Sequence, residues 1–176
     1  ISRIADGSRF EEFKPLFGPT IICGFMKIHG HTVGVLGNNG SLFPDSSQKA
    51  AHFIQLCNQI SIPLVFLQNI TGFNIGKEFE QNGSIKKGAQ MLNAVSNSEV
   101  PHLTVILGNS YGAGTYAMSG REFGNAFTFL WPTAKIAVMG GEQIAGVMSM
   151  VRRAKAMRDG LPLSLIHISE PTRRST

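Results

Sequence analysis

An α/β fold built as a spiral of stacked units is predicted by three features of this sequence. Two short apolar runs, Leu64–Leu67 and Leu103–Leu107, each follow a proline, and these prolines, Pro63 and Pro101, lie 38 residues apart. Each run leads into a bend rich in Gly and Asn and then into a stretch with helical periodicity, so one strand–bend–helix unit occurs twice. The runs are apolar throughout rather than alternating, which marks buried strands and favours parallel pairing through crossover helices.

Taken in order, Ile1 to Lys14 reads as a short, polar helical segment ending at Pro15. Ile21–Ile28 and Thr32–Leu36 read as strands joined by His29-Gly30-His31, a hairpin signal of β-branched residues about a Gly turn. Gly37-Asn38-Asn39-Gly40 then bends the chain. Asp45 or Ser46 is expected to cap a helix running to about Ile60, with Ala50, Phe53, Ile54 and Cys57 on its apolar face. After Leu64–Leu67 the chain is expected to bend through Gln68 to Gly76. A helix from about Ser84 to Ser96 follows, carrying Ile85, Ala89, Leu92 and Val95 at helical spacing. The second unit bends through Gly108-Asn109-Ser110 and Tyr111-Gly112-Ala113-Gly114 into a short helix from about Thr115 to Met118. Phe127–Leu130 and Ile136–Met139 are further short strands, and Gly140-Gly141-Glu142 opens another helix.

The 176 residues suffice for one domain with a core, and a hydrophobic content of 43% against 15% charge indicates strong burial. No apolar run approaches the about 20 residues of a membrane span. The net charge of +5 is uneven. Residues 1–150 carry ten Lys/Arg and nine Asp/Glu, a net of +1, and residues 151–176 carry six against two, a net of +4. The basic excess is terminal, which argues against a broad phosphate-binding face. Cys23 and Cys57 sit in apolar patterns and read as buried, reduced thiols.

The chain opens on Ile1 rather than Met, and we expect an internal piece of a longer protein. From about Leu161 the periodicity is lost, and the stretch ending in Ser-Thr reads as disordered. Leu163 to Arg173 also resembles the translation of a common sequencing-adapter oligonucleotide. Residues 161–176 are therefore expected to be a non-native tail behind a domain spanning 1–160.

No side-chain cluster suggests catalysis. Ser110 lacks an evident His/Asp partner, and no Gly-x-Ser-x-Gly occurs. His29 and His31 flank a turn glycine and read as exposed, with no third ligand at metal-binding spacing. His52 lies on a helix and His102 at a strand start. Gly37–Gly40 is not a Walker loop, since no Gly-Lys-Ser/Thr follows. What remains is backbone chemistry. A Gly-rich bend at a helix start leaves N–H groups unpaired. Gly112-Ala113-Gly114 is then either an oxyanion hole or a place where small residues let strand and helix approach closely. At the equivalent place in the first unit, Gly72 and Phe73 line a pocket and Asn69 orients a polar ligand, or the segment is a plain left-handed turn.

Five motifs occur in order after the opening Ile4-Ala-Asp-Gly-Ser-x-Phe-x-Glu-Phe13: Gly37–Gly40, Phe66–Phe73, Ser110–Met118, Trp131-Pro132 and Val138–Gln143. On them, residues 1–158 resemble the C-terminal half of the carboxyltransferase (β) subunit of biotin-dependent acyl-CoA carboxylases. Met139-Gly-Gly-Glu-Gln143 and Gln68-Asn-Ile-Thr-Gly-Phe73 lean within that group toward methylcrotonyl-CoA carboxylase.

The resemblance implies a crotonase-like (ClpP/crotonase) spiral of repeated ββα units. It implies carboxyl transfer from carboxybiotin to an acyl-CoA, closest to conversion of 3-methylcrotonyl-CoA to 3-methylglutaconyl-CoA in leucine degradation, at the γ-methyl carbon. The biotin ureido group replaces a side-chain base. By motif match the backbone amides of Ala113 and Gly114 form the oxyanion hole for the ureido oxygen, with Gly72, Phe73, Gly112 and Tyr116 as cofactor-binding candidates and no metal. Thr115 and Asn109 depart from the commonest family residues.

Implied partners are a biotin carboxylase/biotin carrier (α) subunit and further β subunits, with no nucleic acid or membrane. The expected location is the mitochondrial matrix in a eukaryote and the cytoplasm in a bacterium. The family's site lies between the N-terminal half of one subunit and the C-terminal half of another, so this piece alone is expected to be inactive. Two other readings stay open: a crotonase-type hydratase or isomerase, for which Glu122 is the only acid soon after the bend, and a non-catalytic assembly domain.

Overall fold

The computed structural model describes residues 1–74 and 76–160. The expectation for residues 161–176 falls outside them. The chain divides into two compact units, Ile1–Val138 and a second beginning at Met139.

The first unit is a mixed sheet with helices. β2 (Ile21–Ile28) and β3 (His31–Asn38) form the expected antiparallel hairpin, in register from Ile21↔Asn38 to Ile28↔His31. His29 and Gly30 close it with φ of 49° and 82°, a turn with two left-handed residues that matches strand twist. The Asp6 carboxylate holds this turn, accepting from His29 N at 3.0 Å and Gly30 N at 2.7 Å. The Gly30 hydrogen bond, ahead of the His29 one, keeps the Asp6 carboxyl below the usual aspartate range. The Ile1–Lys14 segment is not a helix. It makes one 3₁₀ turn at Asp6–Ser8 and then β1 (Phe10–Glu12), which pairs with β2. Its apolar residues Ile1, Ala5 and Phe10 cover the sheet face lined by Met26, Val35 and Val65, which a polar helix would leave bare.

α1 (Pro44–Gln59) starts earlier than the expected Asp45 or Ser46 cap, because Pro44 supplies the φ of a first helical residue and needs no N–H partner. Phe43 stands at the cap position without a side-chain hydrogen bond. Ala50, Phe53, Ile54 and Cys57 are buried as their spacing predicts, and Cys23 and Cys57 are free. Burial pushes both thiols up to about 12. Lys49 is buried too, its Nζ 3.5 Å from Glu12 of β1.

The main departure from the sequence reading concerns strand length. β5 (Leu64–Phe73) and β6 (His102–Tyr111) each run ten residues, straight through the segments that look like bends. Each strand serves two sheet segments. Leu64–Leu67 pairs in parallel with β3, and after a register shift Ile70, Gly72 and Phe73 pair with β4 (Gly40–Leu42). Likewise Leu103–Ile106 pairs with β7 (Phe127–Leu130), and Asn109–Tyr111 pairs with β8 (Lys135–Ala137). The main order is β1-β2-β3-β5-β6-β7, with β4 on β5 and β8 on β6. In β3–β4 and β7–β8 the chain breaks between the two segments, and in β5 and β6 it does not. This is a ββα repeat, with α1, then α3 (Ser84–Ser96) preceded by α2 (Lys77–Gln81), then α4 (Gly114–Ala117) as its helices.

An asparagine cluster bridges the shift. Asn69 Oδ1 accepts the Asn109 N–H at 2.8 Å, and Asn69 Nδ2 donates to Asn39 Oδ1 at 2.7 Å. The Asn69 N–H donates to Asn38 Oδ1 at 3.2 Å. These bonds replace ladder pairing where the register between β5 and β6 slips between Gln68 and Ile70. A Cβ on Gly108 would run into the Asn69 amide. The side chain read as a ligand contact is thus engaged within the sheet.

α3 has the expected bounds but a different buried stripe. Ser84, Gly88, Met91 and Val95 face inward, while Ile85 is 74% exposed and Ala89 is also outward. Gly88 sets this rotation, since its missing Cβ receives the Phe73 ring, whose Cε1 lies 3.2 Å from where a Cβ would stand. The core between helices and sheet contains Ile21, Leu36, Phe53, Phe66, Ile70 and Met91. Within the second unit, α5 (Gly141–Arg158) carries Glu142 in its first turn and Lys155 and Arg158 in its last, matching the helix dipole. None of the helices of the described residues is long and apolar enough to cross a membrane.

Two predictions test this packing. Asn69→Leu leaves the part-buried Asn109 N–H without its acceptor, and should lower unfolding stability by about 1–3 kcal/mol in urea titration. His102 is buried, with Nδ1 and Nε2 at 2.9 and 2.6 Å from the Ser119 and Ser98 hydroxyls, and burial holds its pKa down to about 4. Its folded pKa lies below the unfolded value, so the unfolded chain binds the proton first. The stability it contributes is complete above pH about 6.5 and is lost as pH falls toward 4, by up to about 1.4 kcal/mol per pH unit. Urea midpoints measured across that window should fall with pH, and a His102→Gln variant should flatten the slope.

Candidate active site

The bend after β6 is built by backbone contacts and one side-chain pair. The Gly112 N–H donates to Ala137 O of β8 at 3.2 Å, and Gly112 O accepts from Thr115 N at 3.2 Å. Gly112 has φ +60°, a conformation an L side chain rarely adopts, so this glycine reverses the chain direction. Met118 N–H donates to Gly114 O at 3.1 Å and closes the single turn of α4. Ser110 Oγ and Thr115 Oγ1 lie 2.9 Å apart across the bend.

Between these contacts two consecutive N–H groups, those of Ala113 and Gly114, have no acceptor among the described residues. Ala113 is exposed at the surface of the bend and Gly114 is buried behind it. α4 spans only four residues, so its dipole adds little and the two N–H groups are themselves the donors. Adjacent unpaired donors of this kind suit an oxygen that gains negative charge during a reaction.

Close packing holds at the same spot. A Cβ at Gly114 would run into Ile70 Cδ1 and stand 3.2 Å from the Gly72 Cα. Gly114 is therefore small because it seats on β5, and its N–H is free because the helix starts there. The two readings of this bend are compatible. Gly72 lies in β5 opposite Ser41 with φ +125°, so it is a strand residue with a glycine-only backbone rather than part of a turn.

The other candidates sit around the bend. Phe73 is half-buried, with its ring against Gly88 of α3. Tyr116 is 41% exposed, edge-on to Phe123 with centroids 6.1 Å apart, in a shallow concavity shared with Leu92, Ser96 and Glu122. Glu122 follows α4 in the 3₁₀ turn Arg121–Phe123, and its carboxylate lies beside Gly120. Ser110 is fully buried, with its hydroxyl on Thr115, and His102 is engaged elsewhere by Ser98 and Ser119. No group of three His, Cys, Asp or Glu among the described residues is arranged to hold a metal ion. The sequence reading missed the Ser110–Thr115 pair and the asparagine cluster.

Comparison with known proteins agrees with this architecture. The Drosophila melanogaster protein named probable methylcrotonoyl-CoA carboxylase beta chain, mitochondrial, is 56% identical over 164 residues, which is 93% of this chain and 28% of the relative. The crystal structure of the P. aeruginosa geranyl-CoA carboxylase beta subunit superposes with a TM-score of 0.85 at 51% identity, covering 88% of this chain and 30% of that one. The transcarboxylase 12S structure, described as a hexamer assembly, gives a TM-score of 0.81 at 36% identity, covering 91% and 32%. The chain thus spans less than a third of each of these three proteins, and its mixed sheet has their crotonase-like fold. The profile described as the carboxyl transferase domain matches residues 1–175, and the chain belongs to that family.

Proposed function

We propose that this chain is the biotin-side half of the active site of a carboxyltransferase subunit that carboxylates an acyl-CoA. The observation that carries the reading is the pair of adjacent N–H groups, Ala113 and Gly114, without acceptors among the described residues on a bend fixed at both ends. Biotin, when bound in its carboxylated form, supplies both the carboxyl group and the base. The chain's own part is electrostatic. The Ala113 and Gly114 N–H groups donate to the ureido oxygen as it gains negative charge, and one such donor is worth about 2.7–4 kcal/mol of transition-state stabilisation. Gly112, through its positive φ, makes the reversal that places the two donors side by side at the start of α4. Gly72 leaves the bend free of a β5 side chain, Phe73 backs it through α3, and Tyr116 offers an exposed ring one helical turn away. Glu122 lies beyond α4 and pairs with neither amide, which disfavours hydratase or isomerase chemistry at this bend.

The substrate class follows from the relatives. Methylcrotonyl-CoA and geranyl-CoA, in the names of two close relatives, are both thioesters of 3-methyl-2-enoic acids, in which a γ-methyl proton is activated through the double bond. We assign 3-methylcrotonyl-CoA as the acceptor and 3-methylglutaconyl-CoA as the product. The acyl-CoA half-site, the biotin-carrying α subunit and the other β subunits of an oligomer complete the enzyme. Eukaryotic relatives are named mitochondrial, which supports a mitochondrial matrix location in a eukaryotic source and the cytoplasm in a bacterial one.

Ala113→Pro in the full-length subunit tests the amide role. Ala113 has φ −64°, the angle that proline imposes, and its N–H has no protein acceptor, so the change deletes one donor and little else. Carboxylation should fall about 10²–10³-fold with assembly unchanged by size-exclusion chromatography. Near-normal turnover in an assembled enzyme would instead favour the assembly-domain reading. Purified residues 1–160 should show no decarboxylation of 3-methylglutaconyl-CoA coupled to free biotin, and measurable turnover would show that the half-site reading is wrong.

A further inference from the structure

We propose that Ser110 and Thr115 are positioning residues for this reaction, acting as a hydroxyl strap that sets the direction of the Ala113 and Gly114 N–H groups; the proposal rests on the amide reading above. The strap joins the last turn of β6 to the first turn of α4 at 2.9 Å and spans the bend from side to side. Its strand end is a fixed post. Ser110 is fully buried and in register with Ile70 of β5 on one side and Ile136 of β8 on the other.

Its helix end is also restrained. Thr115 is β-branched and so has few rotamers in a helix. Its Cγ2 and backbone O lie 3.2 and 2.9 Å from where a Cβ on Gly120 would stand, so the chain returning through Gly120 closes against it. The backbone contacts on Gly112 tie the bend to Ala137 at its entry and to the Thr115 N–H at its exit, and the strap adds a side-chain tie at that same exit residue. The peptide planes of residues 113 and 114 depend on the angle at which α4 leaves the bend, and the strap restrains that angle together with the Thr115 N–H to Gly112 O bond. Oxyanion donors act within a narrow range of distances, and a displacement on the order of 1 Å costs about 10²-fold in rate.

The test uses the full-length subunit assembled with its biotin-carrying partner. Thr115→Val keeps the shape and removes the hydroxyl. Its kcat for carboxylation of 3-methylcrotonyl-CoA should fall about 10–100-fold, while KM for the acyl-CoA stays within about 2-fold and the assembly elutes normally. Thr115→Ser should restore most of the rate. Ser110→Ala should reproduce the loss, and the double variant should be no worse than either single change, since both remove one interaction. Wild-type kcat in both single variants, an equal loss in Thr115→Ser, or additive losses in the double variant would each overturn the proposal. If Thr115→Val does not assemble, Ser110→Ala, which removes bulk without adding any, decides the matter by the same kcat and KM criteria. Ala113→Pro run in parallel separates the two levels. An inactive Ala113→Pro beside fully active strap variants removes the positioning role alone, and a fully active Ala113→Pro removes the amide reading and the strap with it.

Discussion

The Asn69 side chain bridges the point at which β5 and β6 change partners, and the upper half of the first unit depends on that bridge. A parallel ladder satisfies backbone groups only while its register holds. Between Gln68 and Ile70 the register slips, and the Asn109 N–H would be left without a strand partner. Asn69 Oδ1 supplies the missing acceptor, while its Nδ2 reaches Asn39 and its backbone N–H is taken by Asn38. Three consecutive sheet strands are thereby joined at one level. Above that level β8 pairs with Asn109–Tyr111, and Ala137 O receives the Gly112 N–H. The bend therefore inherits its position from a side-chain amide some forty residues earlier in the chain.

Small size and free donors then coincide at the bend. Gly114 approaches β5 so closely that any side chain would meet Ile70, and this approach brings the start of α4 against the sheet. A helix start has no preceding carbonyls for its first N–H groups. Here two of them, on consecutive residues, remain without acceptors among the described residues, beside a half-exposed aromatic residue, Tyr116.

Strand positions were easy to read and strand lengths were not. Gly72, Gly108, Asn69 and Asn109 are residues that commonly mark turns, and locally nothing distinguishes a turn from a strand with a bulge. Gly108 is in the strand because it must clear the Asn69 amide, and Gly72 because its backbone takes φ +125° opposite Ser41. The stripe on α3 was displaced for a similar reason. Ile85 is more apolar than Gly88, but the Phe73 ring fits only against the residue with no side chain. At the N-terminus, pairing of Phe10–Glu12 with β2 overrode a weak local helical pattern.

The order of apolar runs, prolines and glycine motifs determined the α/β repeat, the family and the residues of the bend, because burial pattern and backbone permissiveness are local properties of residue type. Tertiary structure decided which polar groups remain available for chemistry. Asn69, Ser110 and His102 all carry groups able to bind a ligand, and each is engaged by a partner distant in the chain or across the bend. The Ala113 and Gly114 N–H groups stay free because no carbonyl of the described residues reaches them. Hydrogen-bond satisfaction is a property of the assembled neighbourhood, and no reading of residue types along one strand contains it.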